Sequence, residues 1–151
     1  MITVICVGKI KEKFYSDALN EYIKRLSKYT KLLIKEIDDF NVDDKDICLL
    51  KERDLILKNI SSKSYIITLE IEGKQLSSIE LSEKISDLLI TNSNITFIIG
   101  GSYGLHDDIK KLSNYKLSFS KLTFPHQLFR VILLEQIYRC FRIINNESYH
   151  K

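Results

Sequence analysis

The chain alternates between short runs of almost wholly apolar residues and longer segments in which apolar residues recur with helical spacing. The first run is Ile2–Val7, which predicts a strand. The segment after it is predicted as a helix from the spacing of its apolar residues, which are Tyr15, Ala18, Leu19, Tyr22, Leu26 and Tyr29. The same alternation continues to the end of the sequence.

Four further strands are predicted, at residues 31–37, 65–71, 95–99 and 116–120. Further helices are predicted at 47–60, at 107–112 and at 125–144, and another follows Ser77, where Ser77 and Glu80 form a capping signature. The acidic stretch 38–46 is predicted as a loop. Strands separated by helices favour parallel pairing, so the expected fold is a single-domain α/β fold with a parallel sheet, whose strand order the pattern leaves open.

All five glycines follow predicted strands. Gly8 follows the first, Gly73 the third, and Gly100, Gly101 and Gly104 follow the fourth. In open parallel sheets, ligands bind beyond the carboxyl ends of the strands, where glycine lets a backbone approach closely. A ligand site is therefore predicted at this edge, although Gly8 and Gly73 are equally consistent with simple tight turns.

The glycine spacing excludes several common ligand sites. "FIIGGSYGL" gives G-G-x-x-G after the fourth strand, whereas a dinucleotide fingerprint needs G-x-G-x-x-G after the first. Neither a P-loop nor a G-x-S-x-G nucleophile elbow is present. The three histidines and the three cysteines lack the paired spacing of metal ligands, so no metal is expected and Cys6, Cys48 and Cys140 are predicted to be reduced, structural thiols.

Composition narrows the class of protein further. The chain has 151 residues, a formal net charge of +3 and no apolar run near the ~20 residues that span a bilayer. Its N-terminal segment lacks the features of a signal peptide, so a cytoplasmic protein without a membrane partner is expected. A charge of +3 does not by itself indicate a nucleic-acid partner.

The start of the last predicted helix carries a candidate binding feature. Phe124 precedes Pro125 and is pushed out of the helical region, so it cannot cap the helix with its side chain. The amides of His126 and Gln127 are then free for a ligand, unless Thr123 or water satisfies them.

The same helix is apolar nearly all round, which favours a second buried contact and therefore a homodimer. Helical spacing puts Glu135, Arg139 and Arg142 on one stripe and Arg130 on the opposite, apolar side. Arg130 therefore needs a partner, either a ligand or a structural carboxylate.

Several motifs together resemble a known family. "TLEIEGK", "FIIGGSYGLH", "LSFSKLTFPHQLFRVILLEQIYR" and the terminal "YHK" are similar to the ribosomal RNA large subunit methyltransferase H family, in the SPOUT class, over essentially the whole chain. The resemblance implies a deep C-terminal trefoil knot, a homodimer, and S-adenosyl-L-methionine as cofactor. It also implies methyl transfer to N3 of a pseudouridine in a stem-loop of large-subunit ribosomal RNA, in the assembled ribosome.

The resemblance also implies roles for individual positions. The implied cofactor contacts are Leu69, Gly100, Phe119, Ser120, Lys121, Leu122, Thr123 and Phe124. His126, beside this loop, is a candidate proton acceptor, and Arg130 is a candidate for stabilising the developing anion or holding phosphate. The candidates for RNA contact are Arg139, Arg142, Tyr149, His150 and Lys151, with the partner subunit as one source of them. Two alternatives stay open, a ribosome assembly factor without catalysis and a methyltransferase of transfer RNA.

Overall fold

The computed structural model describes residues 1–40 and 42–149. The strands are β1 (Ile2–Val7), β2 (Leu32–Ile37), β3 (Ser64–Gln75), β4 (Asn94–Ile99) and β5 (Tyr115–Ser118). The helices are α1 (Lys13–Leu26), α2 (Lys45–Asn59), α3 (Ser78–Thr91), α4 (Asp107–Leu112) and α5 (His126–Ile144). The predicted alternation of strands and helices is therefore confirmed for every element.

The strands form one sheet in the order β2-β1-β4-β3-β5, and every neighbouring pair is parallel. All six residues of β1 are buried, which explains its continuous apolar run. Because all five strands run in the same direction, their carboxyl ends meet at one edge of the sheet.

Helices cover the sheet on both faces. One apolar cluster joins the sheet to α1, α3 and α5, with Leu133 and Ile137 of α5 fully buried. A second, smaller cluster joins the other face to α2 and α4. Burial of each such aliphatic side chain contributes about 1.5–3 kcal/mol. The α5 helix packs between α1 and α3, so its position depends on both.

Local signals set where the helices begin. Ser77 and Glu80 form the predicted capping box at the start of α3, since the Glu80 amide donates to Ser77 Oγ at 3.2 Å and the Ser77 amide donates to Glu80 Oε2 at 2.7 Å. The α2 helix begins two residues before the predicted start because Asp44 caps it, accepting from the amides of Asp46 and Ile47.

The prediction that Gly73 follows the third strand is wrong. β3 runs on to Gln75, and its pairing with β5 shifts register between Leu69 and Lys74. A Cβ on Gly73 would lie 2.7 Å from the carbonyl carbon of Leu117. Gly73 is therefore a point of close contact between two strands, and neither a turn nor a ligand contact explains it.

The described residues were compared with the requirements of a membrane-spanning helix and of a metal site. Within residues 1–40 and 42–149, no helix is long and apolar enough to cross a membrane. Over the same ranges, no three His, Cys, Asp or Glu side chains lie together as ligands for a metal ion.

Candidate functional site

A cavity of about 430 Å³ opens at the carboxyl ends of β3, β4 and β5. Residues 69–72 of β3, the loop after β4 and the loop between β5 and α5 form most of its lining. The volume falls within the range of roughly 300–1,000 Å³ found for small-molecule sites. The cavity lies at the edge of the sheet where the glycine pattern predicts a ligand.

Most of the residues predicted to contact the cofactor line this cavity. They are Leu69, Gly100, Phe119, Ser120, Leu122, Thr123 and Phe124. Lys121 is exposed and does not line it. The loop that holds them is folded by Ser120, whose Oγ accepts from the Leu122 amide at 3.0 Å and whose carbonyl accepts from Ser118 Oγ at 3.1 Å.

The loop after β4 folds back on itself tightly. Gly101 and Gly104 form an isolated antiparallel bridge, and the Gly104 amide donates to the Gly101 carbonyl at 3.0 Å. Gly104 has a φ of +80°, in the left-handed region that favours glycine. A Cβ on Gly100 would lie 2.6 Å from the Gly104 carbonyl carbon. The narrow loop therefore depends on a residue without a side chain at position 100.

The N-terminus of α5 faces this site without a side-chain cap. Pro125 is the N-cap residue, and no side chain accepts a hydrogen bond from the first amides of the helix. Thr123, one of the two groups considered as a cap, therefore does not fill that role. The Gln127 side chain instead ties α5 to α1, since its Oε1 accepts from the Lys11 amide at 2.8 Å. Free amides at a helix N-terminus carry partial positive charge toward the cavity.

His126 is half-buried and lines the cavity. Burial lowers its pKa below the ordinary value of 6.5, the positive charge of Arg130 lowers the pKa further, and Asp39 acts weakly in the opposite direction. The imidazole is therefore neutral at physiological pH and is able to accept a proton.

Arg130 is buried in the first turns of α5, with a side chain only 3% exposed. Its Nη1 donates to Glu36 Oε1 at 2.7 Å, and its Nη2 donates to the Val7 carbonyl at 2.8 Å and to the Gly8 carbonyl. The structural carboxylate considered as its partner is thus present. Arg130 does not line the cavity, and it reaches the site through its charge on His126.

Of the predicted RNA-contact residues, Arg139 and Arg142 lie on the second half of α5 and Tyr149 follows that helix, and none of these three lines the cavity. Arg139 pairs with Glu135 at 2.6 Å, and Arg142 pairs with Glu147 at 2.9 Å. The Tyr149 ring packs against the Arg139 guanidinium at 4.7 Å. His150 and Lys151 lie outside the described residues. Within one chain, the structure does not bring the described candidates to the cavity.

Sequence reasoning missed several residues of the lining. Phe129 contacts Phe119 and Phe124, with ring centroids 5.2 and 5.9 Å apart, so three aromatic rings form one wall of the cavity. Such a wall suits a flat, apolar ring system. Glu70 and Glu72 also line the cavity. The sequence does hold a signal for Glu70 and Glu72, since both follow Leu69 closely at the end of a predicted strand, where ligands bind.

A family model described as "Predicted SPOUT methyltransferase" matches residues 1–150. The chain belongs to the SPOUT methyltransferase family. Related proteins match this chain along nearly its whole length. A protein from Methanococcus maripaludis (strain C5) is 58% identical over 157 residues, with 99% of both chains covered. The proteins from Clostridium tetani (strain Massachusetts) and Clostridium botulinum (strain Kyoto) are 54% and 52% identical, again over 99% of each chain, and both are named ribosomal RNA large subunit methyltransferase H. The resemblance drawn from the motifs is confirmed.

Two solved structures share the fold of this chain at much lower identity. A protein from Haemophilus influenzae Rd KW20, described as a probable methylase family protein, aligns with a TM-score of 0.57 at 14% identity, covering 99% of this chain and 70% of that one. The tRNA (m1G37) methyltransferase of Aquifex aeolicus aligns with a TM-score of 0.56 at 14% identity, covering 91% and 69%. This likeness concerns the fold alone.

Proposed function

We propose that the chain transfers a methyl group from S-adenosyl-L-methionine to N3 of a pseudouridine in a stem-loop of large-subunit ribosomal RNA, on the assembled ribosome. The names of its full-length relatives support ribosomal RNA as the substrate. The observation that carries the proposal is the cavity at the carboxyl ends of β3, β4 and β5, with Gly100 and the loop 119–124 in its lining.

The residues present suit this cofactor. The aromatic wall of Phe119, Phe124 and Phe129 offers stacking and apolar contact to an adenine ring. The tight loop at Gly100 exposes backbone rather than side chain to the ligand. Free amides at the start of α5 are donors for a carboxylate. We therefore propose these three groups, with Leu69 and the remaining loop residues, including Lys121, as the cofactor site.

The proposed reaction is a direct displacement. The cofactor supplies an electrophilic methyl group on a positively charged sulfur, and the N3 nitrogen of the base is its acceptor. As the new N–C bond forms, N3 must lose its proton, and His126 is the proposed acceptor because its imidazole is neutral at physiological pH. The chain's main contribution is to hold the two reactants in line, which can supply several kcal/mol.

Arg130 is proposed to assist through charge. Its charge adds to burial in lowering the pKa of His126, its side chain holds the end of β1, and we retain stabilisation of the developing anion as its proposed catalytic effect. Arg130→Met should slow single-turnover methyl transfer near neutral pH and move the acid limb of the rate profile upward toward 6.5, the ordinary pKa of His126. Arg130→Lys keeps the charge and should restore part of the rate. An unchanged rate and pH profile in Arg130→Met would contradict this role.

Two further parts of the proposal concern topology and assembly. We propose that the segments around β4 and β5 form the trefoil knot that the family resemblance implies. The close approach of Gly73 to Leu117, which are distant in sequence, is consistent with chain segments that pass closely there. We also propose a homodimer, in which Arg139, Arg142, Tyr149, His150 and Lys151 contact RNA beside the partner's cavity. The substrate implies that the protein acts in the cytoplasm.

The direct test is mass mapping of ribosomal RNA from cells lacking the protein. The expected result is loss of one methyl group from one pseudouridine in the large subunit, restored by the wild-type gene. Loss of a methyl group from transfer RNA instead would favour the alternative substrate. Unchanged RNA, together with no binding of S-adenosyl-L-methionine in calorimetry, would favour an assembly factor without catalysis.

A further inference from the structure

The ionisable groups that line the cavity are unevenly balanced. They are the carboxylates of Glu70 and Glu72, the ammonium of Lys110 and the imidazole of His126. His126 contributes no charge near neutral pH because burial lowers its pKa. Lys110 lies 4.0 Å from Asp107, so part of its charge is already compensated. The ionisable side chains of the lining therefore carry a net negative charge, beside the partial positive charge at the start of α5.

Glu70 is held in place at the end of the regular part of β3. It is half-buried, and Thr68 Oγ1 donates to its Oε1 at 2.6 Å. Thr68 is fully buried in the sheet, so its hydroxyl holds the Glu70 carboxylate in one position. No cationic side chain pairs with Glu70 among the described residues, so its charge stands beside the cavity without a counterion.

Glu72 lies two residues further along the same strand and is exposed at the mouth of the cavity. Glu70 and Glu72 both fall in the part of β3 where the pairing with β5 shifts register, and both line the cavity although Glu72 is the more exposed. Within residues 1–40 and 42–149, the Glu72 carboxylate makes no hydrogen bond or ion pair. Neither carboxylate has a structural role that accounts for its charge, which makes both available to a ligand.

We propose that Glu70 and Glu72 act as a charge filter, by which we mean that they make the cavity bind the positively charged cofactor more tightly than the product left after methyl transfer. This inference rests on the proposed function. S-adenosyl-L-methionine carries a sulfonium, and the product S-adenosylhomocysteine has a neutral sulfide in its place, so the two ligands differ by one methyl group and one positive charge. A negative lining attracts the first more strongly and helps the second to leave.

The test is calorimetric binding of both ligands to the wild type, Glu70→Gln and Glu72→Gln. The wild-type protein should prefer S-adenosyl-L-methionine, and each variant should lower that preference by roughly three- to tenfold, less for the exposed Glu72. Glutamine keeps the size of the side chain and leaves an oxygen for the Thr68 bond. Glu83→Gln, an exposed carboxylate on α3 outside the lining, is the matched control and should leave the preference unchanged.

A third ligand separates charge from the methyl group. Sinefungin replaces the sulfonium with a carbon that bears an ammonium, so it should follow S-adenosyl-L-methionine in losing affinity to both variants. Equal weakening of all three ligands would mean that the carboxylates contact a shared part of the molecule, and it would overturn the filter. Unchanged affinities in both variants would overturn it as well. If the wild-type protein bound none of the three, the proposed function would fail first.

Discussion

His126 is the first residue of α5, lines the cavity and lies within range of the charge of the buried Arg130. That position explains both its exposure to a ligand and its resistance to protonation. The sequence predicted its nearness to the loop 119–124 from adjacency alone. It did not predict the lowered pKa, which arises from burial and from a charge on the next helical turn.

The lowered pKa of His126 predicts a dependence of stability on pH. The unfolded chain binds a proton near the ordinary pKa of 6.5, whereas the folded chain binds it only at a lower pH. The contribution of His126 to the free energy of unfolding is therefore fully present above about pH 6.5 and is lost as the pH falls through the folded pKa. Urea unfolding at about pH 7.5 and about pH 5.5 measures this loss. His126→Gln should shrink the difference between the two conditions, and an unchanged difference would contradict the assignment.

Gly100 gives a second prediction at the level of a single residue. Gly100→Ala places a Cβ against the backbone of Gly104, which cannot move without opening the loop. We expect loss of binding of S-adenosyl-L-methionine in calorimetry and destabilisation of roughly 1–3 kcal/mol. Tyr103→Phe, in the same loop but exposed and outside the lining, should bind normally. Normal binding by Gly100→Ala would show that the close backbone approach is not needed.

Among the elements, helices and strands were predictable where one local pattern dominates, and not where distant segments meet. The apolar run of β1 and the capping box of α3 needed no tertiary information. The extension of β3 to Gln75 did need tertiary information. The sequence predicts that this strand ends at Ile71, before Gly73, whereas the structure continues it because β5 pairs with Lys74 and Gln75. The sheet order was unpredictable for the same reason, since parallel strands that are distant in sequence have no turn to fix their pairing.

The capping box of α3 predicts a purely structural effect. Ser77→Ala removes the acceptor of the Glu80 amide and should lower the free energy of unfolding by about 1 kcal/mol. Ser77 does not line the cavity, so binding of the cofactor should not change. Ser62→Ala, at an exposed serine in the loop before β3, should alter stability by less than about 0.5 kcal/mol. A variant Ser77→Ala as stable as the wild type would show that the cap adds nothing.

At the scale of the whole molecule, one face of α5 stays outside the apolar clusters of the chain. Leu128, Ile132 and Ile143 recur on that face, are half-buried and belong to neither cluster. The ion pair of Glu135 and Arg139 lies on the same face, so the face is mixed, with apolar side chains that a partner could cover, which is consistent with the proposed homodimer.

The wild-type protein should therefore have twice the 17.7 kDa mass of the chain in size-exclusion chromatography with light scattering. Ile132→Glu should shift the mass toward a single chain, because a carboxylate would be buried in the interface. Ile79→Glu, at an isoleucine already half-exposed on α3, should keep the dimer. A wild-type mass of one chain would exclude this mode of assembly.

The three free cysteines are all buried, and two of them, Cys6 in β1 and Cys140 in α5, belong to the same apolar cluster. Burial raises the pKa of Cys6 to about 11 and that of Cys140 to about 12, so neither forms the thiolate that alkylating reagents attack. Reaction then requires the surrounding structure to open. The rate of alkylation of Cys6 therefore measures opening of the central sheet, and the rate at Cys140 measures opening of α5. The two rates can be compared without an engineered label.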